Sequence, residues 1–267
     1  MQRRTIVAAF AGSAVVGVAG CTSPPITAGD ASQRGTGADP TTGAPAQERS
    51  ATTTPASTAT PSVLAVNGPD ISRAADSTRA VALTFHGAGD VAIATKVLDL
   101  VAQARAAVTI FAVGQWLTAN LDLGRRIVAQ GHDLGNHTWS HQAMTALSQA
   151  ELAKEVRGGA DAVAASVGSP GLLFRPSGTQ HSTPAIRAAA EAAGYHRCIS
   201  YDVDPEDYAD PGRDVVVQRT LAGMSAGSIV SLHLGHPGTL EALPAILDGI
   251  AARGFRAVRV TDLLTGA

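Results

Sequence analysis

From Arg79 onward, short apolar runs rich in Val, Ile, Leu and Ala alternate with longer stretches in which apolar residues recur every three or four positions. A short run bounded by glycine or polar residues fits a buried strand, and the longer spacing fits a helix with one buried face. The runs 80–86, 108–113, 132–136, 172–175, 196–201, 228–233 and 255–260 predict strands, and the segments 91–106, 123–130, 149–167, 184–193, 214–223 and 240–253 predict helices. Strands separated by helices in this way predict a parallel α/β sheet, open or closed into a barrel. Its functional residues gather at the carboxyl ends of the strands. Asp90 stands just ahead of the segment 91–106, where a short acidic side chain satisfies free N–H groups, and so predicts an N-cap.

Ahead of this region the pattern disappears. Residues 22–78 are mainly Thr, Ala, Ser, Pro and Gly. They bury too little apolar surface to offset the entropy of ordering, and predict a disordered N-terminal tether. Treated as a flexible coil, such a linker holds its ends roughly 40 Å apart on average. Residues 1–21 place Arg3 and Arg4 before an apolar stretch too short and too rich in Ala and Gly for a membrane span, and predict an export signal. Val18-Ala19-Gly20-Cys21 resembles a bacterial lipobox, in which the cysteine carries a lipid anchor; an ordinary secretory signal with an incidental cysteine is the alternative. The expected organisation is a signal segment 1–21, a low-complexity linker 22–78 and a folded domain 79–265, exported as a lipoprotein facing the cell wall or secreted.

Composition narrows the partners. The chain has 267 residues, 45% of them hydrophobic, enough for a sizeable core. Its formal net charge is −2 and it has no stripe of Lys and Arg, which argues against nucleic acid. A monomer is expected, touching the membrane only through the lipid anchor. With Cys21 lipidated, Cys198 has no disulfide partner and is expected to be a small buried strand residue.

Candidate chemistry collects after the strand segments. In GHDLGNHTWSH, His137 and His141 stand four apart; on one helical turn both imidazoles point the same way and can share a divalent metal, or both are simply satisfied polar residues. Arg175 ends a strand in FRPSG, where a guanidinium orients a carboxylate or a substrate oxygen, or else lays its stem over apolar surface. SYDVDPEDYAD carries Asp202, Asp204, Glu206, Asp207 and Asp210 around Pro205, which fits metal binding, tuning of a histidine or turn formation. His233 leaves an apolar strand in IVSLHLGH, a natural place for a general acid.

The order of these motifs, from about residue 79 to 264, resembles the NodB-type polysaccharide deacetylases of carbohydrate esterase family 4. TFHGA, GHDLGNHTWSH, RPSG, VDPEDY and SLH stand here where that family carries TFDDG, GHEIGNHTxSH, RPPYG, VDxxDW and LH. The resemblance implies a distorted (β/α)7 barrel that removes N-acetyl or O-acetyl groups from a polysaccharide with a divalent metal, zinc first among them. It implies His137 and His141 as metal ligands, Arg175 as the group orienting the catalytic base, His233 as general acid and Asp207 as the residue tuning it. It further implies Tyr208, in place of the family's tryptophan, as a wall of the sugar groove, with Ser177 and Leu232 as substrate contacts.

The first motif departs from the family. Its two acidic positions, base and metal ligand, fall on His86 and Gly87. His86 is then a third ligand, completing a three-histidine site of a kind known for catalytic zinc, or it is the base. If it is a ligand, Asp204, Asp207 and His181 are the candidates for the base. A barrel that has lost its chemistry and only binds glycan is the rival from another class, and hydrolysis of other non-peptide C–N bonds is a second.

Overall fold

The computed structural model describes residues 69–75 and 79–266; the signal segment 1–21 and nearly all of the linker lie outside the described residues. The strands are β1 (Asp70–Ile71), β2 (Ala80–Gly87), β3 (Thr109–Ala112), β4 (Asp133–Asn136), β5 (Cys198–Ile199), β6 (Ile229–His233) and β7 (Arg256–Ala257). The helices are α1 (Val91–Gln103), α2 (Gly114–Ala119), α3 (Leu121–Ala129), α4 (Gln149–Val167), α5 (Pro184–Ala192), α6 (Arg213–Gly223), α7 (Pro237–Ala252) and α8 (Val260–Thr265).

All pairings between these strands are parallel, in the order β4-β3-β2-β6, with β7 also on β2 and β1 on β5. Single bridges from Asn136 to Phe174, Phe174 to Cys198 and Val203 to Val230 carry the pairing from β4 round to β6. Short contacts continue the pairing where longer strands were expected, an arrangement consistent with a distorted (β/α) barrel. The expected strand 172–175 is reduced to the bridge at Phe174, and 196–201 and 255–260 to two residues each.

Strand alternation sorts the side chains. Val81, Leu83 and Phe85 of β2 face the main core, with Ile110, Val230, Leu232 and apolar residues of α1 and α7. Ala80 and Ala82 face the other way, into a second cluster with Phe111, Leu173, Ile199 and Ile229 that α8 closes through Val260, Leu263 and Leu264. By the period of two, Thr84 and His86 belong to this inner face. A fully buried Phe such as Phe85 contributes about 1.5–3 kcal/mol relative to exposure, so a one-residue slip of β2, which would exchange its faces, is strongly disfavoured. Asp90 caps α1, its Oδ1 accepting from the N–H groups of Ala92 (2.7 Å) and Ile93 (3.1 Å), as the sequence predicts.

The N-terminal boundary falls earlier than expected. Residues 70–74 belong to the fold: β1 pairs with β5, Ile71 and Ala74 are buried, and Ser182 donates through its backbone N–H to Asp70 (2.8 Å). Low-complexity composition upstream hid a two-residue strand whose partner lies far along the chain. α2 and α8 are further elements the periodicity did not reveal, both too short for a helical repeat to register.

Candidate active site

The carboxyl ends of β2, β4 and β6 converge. His86 lies opposite His233 in the β2–β6 register, with ring centroids 4.4 Å apart, and 4.3 Å from the ring of His137, which follows β4. His137 is 4.9 Å from His141. One ring nitrogen from each of His86, His137 and His141 lies within 4.8 Å of the others.

His137 and His141 meet without a helix. Thr138 and His141 both adopt left-handed backbone (φ 67° and 61°), so the segment doubles back as a loop, and the expectation of a helical turn is corrected. Non-glycine residues occupy this region only under constraint. The constraint here is a set of hydrogen bonds. Asn136 accepts from the Thr138 N–H (2.8 Å), the Thr138 and Ser177 hydroxyls pair at 3.0 Å, and Glu155 of α4 accepts from the Ser140 N–H (2.8 Å) and hydroxyl (2.6 Å). Gly159 lets α4 approach this loop, since a Cβ there would collide with the Asn136 side chain. Glu155 carries no motif signature, and sequence reading passed it over.

The imidazoles are held neutral. Burial, then the neighbouring ring of His137, hold His86 well below the ordinary histidine range; burial, then His141, do the same for His137. Burial and His233 also lower His141, against an opposing pull from Glu155. The His137 Nδ1 lies 2.8 Å from the Arg175 carbonyl oxygen, which only accepts, so Nδ1 carries the hydrogen and Nε2 is bare. A histidine fixed in this way presents a lone pair ready for a metal. The bare Nε2 is 3.1 Å from His86 Nδ1, a spacing two ligands of one cation adopt.

Opposite this trio, the Asp207 carboxylate takes the His233 ring Nδ1–H (2.8 Å), the His233 backbone N–H (2.7 Å) and the Thr239 hydroxyl. Asp207 and Thr239 are fully buried. Tyr208, 51% exposed, sets its ring edge-on to His233 at 5.3 Å. His236 stands beyond, 5.6 Å from His233, with Nδ1 3.3 Å from Asp210. The surplus acids of this loop act locally: Asp204 accepts from the Glu206 N–H, and Glu206 pairs with Arg219.

Three expected roles do not fit. Arg175 orients no base. It is 1% exposed and donates to the carbonyls of Ile199 (3.1 Å) and Ser200 (3.0 Å) and the Thr84 hydroxyl (2.8 Å), with its guanidinium 4.2 Å over the Phe111 ring. Burial draws its pKa down to about 9, against opposing pulls from Tyr201 and Asp204. Leu232 sits between Ser231 and His233 on β6, so alternation turns it into the main core, away from the mouth. Ser177 is fully buried, and its hydroxyl donates to the Gln142 carbonyl (2.6 Å), which makes it a brace for the loop that carries His137 and His141. Cys198 is a buried free thiol, pushed up by burial to about 11, as expected of a strand residue.

Comparison with known proteins gives the family. The family model described as Polysaccharide deacetylase matches residues 73–198. A peptidoglycan-N-acetylglucosamine deacetylase of Bacillus cereus is 34% identical over 188 residues, covering 69% of this chain and 87% of that protein. A chitooligosaccharide deacetylase of Bradyrhizobium sp. is 32% identical over 194 residues, covering 67% and 87%. A solved structure of a CE4 family pseudoenzyme from Bacillus anthracis is similar with a TM-score of 0.69 at 25% identity, covering 74% of this chain and 70% of that one. With this likeness added to the barrel and its histidine-lined mouth, the chain belongs to the polysaccharide deacetylase family of hydrolases, carbohydrate esterase family 4.

Proposed function

We propose that the protein is a metal-dependent deacetylase of a cell-envelope polysaccharide, acting on N-acetyl groups of a peptidoglycan-like N-acetylglucosamine polymer, with O-acetyl groups as the alternative substrate. The observation that carries this reading is the convergence of His86, His137 and His141, facing the carboxylate-backed His233. Three neutral imidazoles suit zinc, as in known three-histidine catalytic sites. A cation held there supplies Lewis acidity toward an acetyl carbonyl and makes water acidic enough to react near neutral pH.

The chain's own residues supply the rest. His86 is the third ligand, in place of the family's carboxylate. Asp207 is engaged by three donors and is not available as the base; it keeps the His233 Nδ1 protonated and Nε2 directed to the reacting group. His233 is the imidazole outside the ligand set that touches His86. It takes the proton from water and returns it to the departing amine as the C–N bond breaks, leaving acetate. Tyr208 offers an apolar ring to the face of a sugar. Residues 1–21, outside the described residues, anchor the domain by a lipid on Cys21 and place it against the cell wall.

One other reading has support. The absence of both acidic residues of the first motif and the likeness to a pseudoenzyme favour a glycan-binding barrel without catalysis. The test is metal content together with acetate release from chito-oligosaccharides and acetylated xylan. Near-stoichiometric zinc or cobalt, lost in His137→Ala, with acetate released from either substrate, is the expected result. No tight metal and no acetate from either would transfer the assignment to the glycan binder, and cleavage without acetate would point to another C–N bond.

A further inference from the structure

The His86 ring nitrogens have two hydrogen-bonding partners, and the second, Ser231, has no counterpart in the LH motif of the family. Its Nδ1 faces His137 Nε2 at 3.1 Å, and its Nε2 lies 3.2 Å from the hydroxyl of Ser231 on β6. Ser231 is buried, and the β2–β6 register sets it opposite Thr84, two residues along from the His86–His233 pair. We infer that Ser231 is the positioning residue that lets His86 serve as a metal ligand, by holding its ring and fixing which of its nitrogens is bare. This inference rests on the three-histidine reading of the site.

The argument is one of hydrogen placement. Arg175's carbonyl fixes His137 with Nε2 bare. A neutral His86 facing that bare nitrogen has two self-consistent arrangements. In the first, His86 Nδ1–H donates to His137 Nε2 and the Ser231 hydroxyl donates to His86 Nε2. In the second, both facing nitrogens are bare and the His86 Nε2–H donates to the Ser231 oxygen. Only the second offers two lone pairs to one cation. A hydroxyl satisfies His86 in either arrangement, because it donates or accepts by rotation. An alanine would satisfy neither and would leave a buried ring N–H without a partner in the loaded form, a cost of the kind outer-shell hydrogen bonds exist to avoid. Replacing a carboxylate by an imidazole in the first motif thus calls for a group of both characters behind the ring, and β6 provides it two residues before His233.

The test uses the full chain with zinc as probe. Zinc affinity, measured by competition with a chromophoric chelator, is expected to fall about 10- to 100-fold in Ser231→Ala and to stay within a few-fold of wild type in Ser231→Thr. In zinc-loaded wild type, ¹⁵N NMR of the imidazoles is expected to show His86 with hydrogen on Nε2 and none on Nδ1. Wild-type affinity in a folded Ser231→Ala protein, or hydrogen on His86 Nδ1 in the loaded protein, overturns the role of Ser231. If wild type binds no zinc, or if His137→Ala leaves affinity unchanged, the three-histidine reading itself falls and the inference with it; loss in His137→Ala with no change in Ser231→Ala sinks the inference alone.

Discussion

Asp207 grips His233 at two points, accepting from the ring Nδ1–H at 2.8 Å and from the backbone N–H at 2.7 Å, so that residue and ring are fixed by one buried carboxylate. A carboxylate behind the ring serves a proton-transfer histidine and a metal ligand alike, so the two roles of His233 are separated by measurement. We expect His233→Ala to lower kcat by about 10²–10⁴-fold while leaving metal affinity within a few-fold of wild type. Parallel acetate-release kinetics and metal titration check both halves, and loss of metal in this variant would move His233 into the ligand set.

His86 separates two mechanisms. As a ligand, its removal in His86→Ala is expected to weaken zinc binding by more than the ~100-fold that bounds a typical outer-shell loss, with activity recovering in part at high zinc. Should the variant hold zinc as tightly as wild type and yet turn over no substrate, His86 is the base instead. A variant that retains both properties would leave the histidine in the first motif without a function.

Arg175 is structural, so its removal should register first in stability. Arg175→Ala withdraws a fully buried side chain and orphans the Ile199 and Ser200 carbonyls it now serves. A loss of about 3–5 kcal/mol is expected, from the void and the unsatisfied acceptors together. Denaturant unfolding measures it; a variant with unchanged midpoint but impaired catalysis would restore the base-orienting role that the resemblance implied.

The metal-free protein should weaken toward acid. His86, His137, His141 and His132 all have pKa values lowered below the ordinary 6.5, burial being the first cause in each. Between those values and 6.5 the unfolded chain binds more protons than the folded one, so stability is present above 6.5 and is lost as pH falls below it. Burial raises Asp133 and Asp202, which opposes this trend only nearer their ordinary value of 3.8. Melting temperature of the chelator-treated protein is expected to drop between pH 7 and about 5.5, and a flat or rising profile would contradict it.

Much of this was legible in the chain. The alternation of apolar runs and helical spacing set the β/α order, Asp90 marked the start of α1, and His86, His137, His233 and Asp207 were placed at strand ends, where the barrel gathers them. These are local signals: periodicity, caps and the end of an apolar run depend on near neighbours in sequence. His132 shows the limit at a single residue. It opens the expected strand run 132–136, where periodicity says nothing of partners, and its buried ring nitrogens have no hydrogen-bond partner among the described residues.

What tertiary structure alone decided involves partners far apart in the chain. The spacing of His137 and His141 said that two imidazoles meet, but Glu155, Ser177 and two left-handed residues make them meet in a loop where a helix was expected. The motif order named Leu232 and Arg175, but strand parity turned the first into the core, and burial, with hydrogen bonds to two carbonyls and the Thr84 hydroxyl and none to a carboxylate, removed the second from the chemistry. Ser231 and Thr239 acquired meaning only when β6 and α7 brought them to His86 and Asp207. Sequence fixes which way a side chain leaves its own strand; which atom waits on the other side is set by register and packing between segments that share no local signal.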